Sequence, residues 1–388
     1  MSRSTVSIRS RAAERLVAGH AWVYASDVAS VNNAEPGSVV TVLDSKGRGV
    51  GTAHYSSSSQ IALRLLSREI EEIDRDFLAD RLERALAHRR LVVSGTDACR
   101  LVFSEADQLP GLIVDRYGDM LVVQTLTQGM EAMKGQIAAI LDELCQPAGI
   151  WERNDVAVRE KESLPFITGP LLGDPRPTVE VRINDIIFAS NLASGQKTGV
   201  YLDQRENYLA AARYARGEVL DCFTSTGGFS LHAARKGLSV EAVDSGAAAL
   251  EAAKHNARLN KLTNIRFRQA DAFDLLVGYR GMGRRFGTVI LDPPAFAKTK
   301  SALTGAARGY ADINRNALGL LGPGGILVTC SCSHHMSEAM LLETVAEAAL
   351  DAGRTLRVLE RRTQAADHPV LLTVPETLYL KCLVLQVL

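Results

Sequence analysis

The sequence has little cysteine and no excess of charge. Among 388 residues there are 6 cysteines, and Lys+Arg 44 is matched by Asp+Glu 44. So few scattered thiols do not make a disulfide framework, and a cytosolic chain with reduced cysteines is expected. A protein that only coats nucleic acid is ordinarily basic, so the balance advertises no such partner while leaving room for a local basic patch. No apolar run approaches the ~18 residues that cross a bilayer, and no membrane partner is expected. The opening MSRSTVSIRSRAAERL is basic but has no apolar stretch followed by a cleavage site, so it is not read as a secretory signal. Two nucleotide signatures are missing as well: the three spaced glycines of a dinucleotide fold and the P-loop. NAD chemistry and nucleoside triphosphate hydrolysis are therefore disfavoured.

What is present divides the chain. Its length exceeds one ordinary core and predicts roughly two or three domains. Residues 1–72 read as short alternating strands broken by Gly, Pro and Ser, in GHAWVYASDV, GSVVTVLDSKGRGVGTAHY and IALRLLS, giving a small β-rich domain. Residues 73–188 read as α+β. Phe77, Leu78, Leu82, Ala85, Leu86 and Arg89 fall at helical spacing with Asp74 as a cap. A second helix is expected near residues 130–145, and hairpin-like segments surround it. Over 189–388 the pattern becomes strand, turn, helix, repeated, which predicts a mostly parallel, doubly wound α/β sheet. Arginine crowds two places, at Arg3, Arg9, Arg11 and Arg15 and at Arg81, Arg84, Arg89 and Arg90. Either is a solvated face or a nucleic-acid contact.

In such a sheet ligands sit beyond the carboxyl ends of the strands. VLDCFTSTGGF carries Asp221 at a strand end, then Phe223, Thr226, Gly227 and Gly228 where a helix begins. Glycine there lets backbone approach a ligand. AVDSG ends a second strand in Asp244 and Ser245, where an acid can hold two ribose hydroxyls. ADAFD supplies Asp271 and Ala272, with Asp271 facing an adenine amino group. VILDPPAFAK ends a buried strand in Asp292 followed by Pro293 and Pro294. Two prolines make a stiff turn that presents Asp292 to a planar base, with Phe296 either stacked on that base or in the core.

VTCSCSHHM, residues 328–336, puts Cys330 and Cys332 after a Gly-rich turn. A zinc clip would need a second, distant ligand pair, and a redox pair prefers Cys-x-x-Cys. Buried bystander cysteines are the plain alternative. The chemical alternative is a nucleophile. Carbon 5 of a pyrimidine becomes nucleophilic only after a thiolate adds to carbon 6.

Taken together, GQKTGVYLDQREN, FTSTGGFSLHAA, VDSGAAALEAAKHNARLN, LDPPAFAK, RGYADINRNAL and LVTCSCSHHMSEAMLLE resemble the ribosomal RNA large-subunit methyltransferase I family over essentially the whole chain. The resemblance implies an RNA-binding PUA barrel at the start, a central α+β domain and a class I methyltransferase domain using S-adenosylmethionine. It also implies 23S rRNA or its precursor as partner, with a homodimer allowed. The family's type member methylates carbon 5 of a cytosine; relatives that methylate guanine keep a base nitrogen open as acceptor. A non-catalytic assembly factor is the alternative from another class. By the resemblance Cys332 is the nucleophile and Cys330 a stand-in for product release. GQKTGVYLDQR is expected to close over cofactor and base through Lys197, Asp203 and Gln204, although a solvated helix start is an equal reading of Asp203, and Gln196, Lys197, Pro293, Pro294, Phe296 and Lys298 are expected to bind the substrate.

Overall fold

The computed structural model describes residues 4–193, 195, 199–296 and 303–388. By contacts the chain forms two compact units. One holds Met1–Val181, Ser190–Gly199 and Ala366–Thr377; the other holds Arg182–Ala189, Val200–Ala365 and Leu378–Leu388.

The first unit contains two separate sheets. Six strands between Thr5 and Ser67 form one, closed over Val6, Ile8, Val40, Val42, Ala53 and Leu63. Five strands between Ala98 and Gly173 form the other, with its own core on Leu112, Val114, Leu121 and Val123. The helix Arg75–Val92 packs on this second core through Leu78, Leu82, Ala85 and Leu86, and the Asp74 carboxylate accepts from Phe77 N at 2.9 Å, as its sequence predicts. Gln146, in the left-handed region, closes the helix Lys134–Cys145. Part of each arginine run is engaged by the protein's own carboxylates. Arg11 and Arg15 pair with buried Asp27, and Arg89 forms a two-pronged pair with Asp107 at 2.5 and 2.7 Å.

The second unit is built on seven strands, numbered here β1 (Val219–Cys222), β2 (Val240–Asp244), β3 (Ile265–Gln269), β4 (Phe286–Leu291), β5 (Leu321–Ser331), β6 (Leu356–Arg362) and β7 (Lys381–Val387). Six helices accompany them: α1 (Arg205–Tyr214), α2 (Gly228–Arg235), α3 (Ala247–Leu259), α4 (Ala272–Gly281), α5 (Leu303–Gly319) and α6 (Glu338–Asp351). The strand order is β3-β2-β1-β4-β5-β7-β6, parallel from β3 to β5, with β7 antiparallel to both neighbours. Central strands buried on both faces read as mostly apolar runs, which is what VLDC and FGTVIL are apart from Asp221 and Thr288. Alternate residues divide between two cores. Leu220, Leu291 and Leu327 face α4, α5 and α6, whereas Val219, Ile290, Val328 and Cys330 face α1 and α2. The order reverses between β1 and β4, the position where a doubly wound sheet opens a crevice at its carboxyl edge.

Candidate functional site

The register across this sheet aligns the carboxyl ends. Cys222 of β1 lies level with Val243 of β2 and Leu291 of β4, and Leu291 is level with Thr329 of β5. The next residues along each strand therefore emerge on one edge. Asp221, Asp244, Asp271, Asp292 and Cys332 all come from that edge, one acid or thiol from each of five neighbouring strands.

The loop after β1 reverses sharply. Phe223 at φ 65°, Ser225 at φ 49° and Gly227 at φ 94° occupy the left-handed region, which non-glycine residues enter only where the surroundings hold them. What holds them is a set of hydrogen bonds. Thr224 N donates to Val243 O at 2.9 Å, Ser225 N donates to Asp244 Oδ2 at 2.9 Å, and Asn256 Nδ2 donates to Thr226 O at 3.0 Å. Asp244 also accepts from Gly246 N at 2.8 Å through Oδ1, so each of its oxygens keeps a second lone pair. Ser245 O accepts from Gln269 Nε2 at 3.0 Å.

Asp221 is wholly buried, and its Oδ2 accepts from the Thr224 and Ser230 hydroxyls at 2.7 and 2.6 Å. Oδ1 has no partner among the described residues. Burial pushes its carboxyl up to about 6, the two hydroxyls opposing the rise. An orphaned, buried carboxylate oxygen is costly unless a donor or cation satisfies it. S-adenosylmethionine brings both, an ammonium and a sulfonium, and the residues present fit it.

Several expectations change on contact with the structure. Gly228 is small for a neighbour rather than a ligand: a Cβ there would meet the Tyr208 ring at 2.3 Å. Ala272 is buried in the core. Asp271 caps α4, accepting from Phe273 N and Asp274 N at 2.8 and 3.2 Å, with its side chain exposed. Phe296 lies half-buried with its ring 4.7 Å from that of Tyr310 and 5.8 Å from that of Phe273, so the core reading holds for much of its surface. Pro293 is buried and Pro294 exposed. Asp203 is no solvated helix start: it is 3% exposed and accepts from Tyr379 OH at 2.7 Å. Gln204 is buried too, and its Nε2 donates to Asp292 Oδ1 at 3.0 Å. These two brace the site from below instead of closing over it. Gln196, Lys197 and Lys298 lie outside the described residues.

The two cysteines part company. Cys330 pairs in register with Cys382 of β7 and is fully buried, and that burial, with the neighbouring thiol, pushes its own thiol well up. It is sealed from any substrate, so the release role expected for it is withdrawn. Cys332 follows the last paired residue of β5, is half-buried and forms no disulfide. The rule that residues i and i+2 share a face holds only while a chain stays in the sheet, and pairing stops at Ser331.

The motifs did not single out Tyr201. Its phenol is pushed up by burial first and then by the negative charges of Asp292, Asp203, Cys332 and Asp244. Its aromatic character inside GVYLDQ was the signal available. Tyr208, Tyr379 and Lys381 were missed as well. Among the described residues no group of three or more His, Cys, Asp or Glu could hold a metal ion, and no helix is long and apolar enough to cross a membrane.

A doubly wound sheet that sets these acids along one carboxyl edge, with an unsatisfied buried carboxylate oxygen among them, is the arrangement of an S-adenosylmethionine-dependent methyltransferase of class I. The family model described as S-adenosylmethionine-dependent methyltransferase matches residues 156–385, and that of a PUA-like domain matches residues 6–68. The chain is 44% identical to Ribosomal RNA large subunit methyltransferase I of Tolumonas auensis, covering 99% of each chain, and 43% identical to the protein of the same name from Shewanella amazonensis, covering 95% of each. It belongs to the ribosomal RNA large subunit methyltransferase I family. The same fold is found in the crystal structure of SMU.776 complexed with SAH, at a TM-score of 0.85 and 20% identity, covering 98% of this chain and 99% of that one.

Proposed function

We propose that this protein transfers a methyl group from S-adenosylmethionine to carbon 5 of a cytosine in 23S rRNA, with Cys332 as a transient covalent nucleophile. The observation that carries this reading is the register of the sheet, which brings Cys332 out beyond β5 at the same carboxyl edge as Asp292 beyond the adjacent β4 and Asp244 at the end of β2. A thiol beside the acids of the cofactor edge is required for attack on a pyrimidine carbon and is superfluous for methylation of a base nitrogen. Large-subunit rRNA as substrate follows the names of the relatives, and it implies a cytoplasmic enzyme. The chain is taken as three domains, 1–72, 73–188 and 189–388, the first docking RNA. A paired base is out of reach, so the target is single-stranded or flipped out.

In this scheme Asp221 takes the cationic amino-acid end of the cofactor through Oδ1, Asp244 the ribose hydroxyls, and the Asp271 turn the adenine. The bound cofactor supplies an electrophilic methyl group. Cys332 Sγ, as thiolate, bonds to carbon 6, and the displaced electron pair makes carbon 5 an enamine carbon. Asp292, when it carries a proton, donates to ring nitrogen 3 as charge builds there. Carbon 5 takes the methyl, a base takes its proton, and the carbon 6–sulfur bond breaks to return the thiolate.

The test is nucleoside mass spectrometry of 23S rRNA from cells lacking the protein, treated with enzyme and cofactor. Wild type is expected to form 5-methylcytidine, and Cys332→Ala to lose roughly 1,000-fold or more in rate. A methylated guanine as the product, or full activity in the variant, contradicts the proposal.

A further inference from the structure

Strand β7 meets the carboxyl edge from a side that none of the sequence motifs touches. Its first residue, Lys381, pairs with Ser331 of β5 and is only 4% exposed. Lysine is almost never buried so fully unless its charge is held. Here Nζ donates to Ser333 O at 2.7 Å and to Tyr379 O at 2.9 Å. Ser333 directly follows Cys332, so the ammonium is tethered to the backbone that carries the thiol. Two carbonyls use two of its three donors.

We propose that Lys381 is a positioning residue whose buried ammonium, fixed by the carbonyls of Ser333 and Tyr379, holds Cys332 as the thiolate. This rests on the reading of Cys332 as nucleophile. The thiol proton passes to solvent and the ammonium keeps its own. Burial pulls the Lys381 amine down to about 8, and the Cys332 charge pulls it back up. Interaction between two charges is reciprocal, so a cation at Lys381 favours a thiolate at Cys332 as the thiolate favours the ammonium. Among the described residues, Tyr201 ahead of α1 and Tyr310 on α5 feel the charges of Cys332 and Asp292, Tyr201 also that of Asp203, and the buried thiols of Cys330 and Cys382 form the ladder pair next to that of Lys381. His334 and Tyr379 add a ring pair at 5.9 Å. Both phenols are pushed up by burial and stay neutral near pH 7, and the carboxylates work against a thiolate. A cation at Lys381 offsets them.

The experiment follows alkylation of Cys332 by iodoacetamide across pH 6–10 in the full-length protein, resolved by peptide mass spectrometry. Half-buried Cys145, whose thiol burial pushes up, is the internal control. Lys381→Gln keeps donors for the carbonyls and removes the charge. It is expected to raise the midpoint for Cys332 by about one pH unit, a roughly tenfold slower reaction near pH 7, with Cys145 unmoved. Lys381→Arg is expected to restore the low midpoint. An unmoved Cys332 midpoint in Lys381→Gln overturns the proposal, as does a wild-type midpoint already in the ordinary thiol range near 8.5. Should Lys381→Gln not fold, by circular dichroism, the wild-type midpoint decides alone. Failure of the nucleophile reading looks different: Cys332→Ala would methylate normally whatever the alkylation profile.

Discussion

Asp221→Asn removes a charge that burial at the carboxyl edge of the sheet disfavours. In the folded chain the Asp221 carboxyl is raised from 3.8 to about 6, burial outweighing the hydroxyls of Thr224 and Ser230. The native state therefore keeps a proton that the unfolded chain has released. Stability is intact below pH 3.8, falls as pH rises toward 6, and is flat above that. At ~1.4 kcal/mol per pH unit the loss reaches about 3 kcal/mol at neutral pH, of which roughly 1–1.5 kcal/mol accrues between pH 5 and 7. Asparagine does not ionise, so the variant lacks this slope. Its buried amide creates a new unsatisfied donor worth ~1–3 kcal/mol, so the absolute stability of the variant decides nothing. The pH dependence of the difference does. Urea unfolding of both proteins at pH 5, 6 and 7 is expected to show the variant gaining on wild type by about 1 kcal/mol or more over that interval. Calorimetry should show wild type binding S-adenosylmethionine more tightly as pH rises through 6, because the cation favours the ionised form, and the variant binding weakly throughout. A difference in stability that does not vary from pH 5 to 7 refutes the reasoning.

Gly228→Ala should lower the urea midpoint by the equivalent of ~1–3 kcal/mol, because collision with the Tyr208 ring at 2.3 Å outweighs the ~1 kcal/mol that alanine gains in helix propensity. Gln204→Ala leaves buried Asn207, which donates to Gln204 Oε1 at 2.7 Å, short of a partner. It is expected to cost ~1–3 kcal/mol in stability and, with Asp292 unbraced, roughly tenfold in kcat, read by methyl transfer to rRNA. Cys330→Ala should cost about 1 kcal/mol for its small cavity and leave methyl transfer within a few-fold of wild type; loss of activity with an intact fold would restore Cys330 to the site.

What could be read from the sequence was local. A strand end, a reversing loop and a helix start lie within ten residues of one another around Asp221 and Asp244, and Asp292 is marked by the two prolines after a buried strand, so these acids announce themselves, and Asp74 can be seen to cap its helix. Contacts made by distant segments could not be read. Lys381 reaches the Ser333 carbonyl, one residue past Cys332, only because β7 inserts antiparallel beside β5, a pairing that no spacing in the sequence encodes. Gly228 looks the same whether its missing Cβ makes room for a ligand or for Tyr208. The two cysteines look equivalent until the last ladder pair of β5 is known to be Ser331, which turns Cys330 inward and frees Cys332 from the sheet's alternation.

The most direct measurement of the covalent step uses 23S rRNA in which cytosine is partly replaced by 5-azacytosine, whose ring accepts the thiolate at carbon 6 but cannot release it. Incubation with enzyme and cofactor, digestion, and mass spectrometry of the crosslinked peptide are expected to find the nucleotide on Cys332 and nowhere else. Efficient methylation of unsubstituted rRNA with no such adduct, or an adduct on another residue, would contradict it.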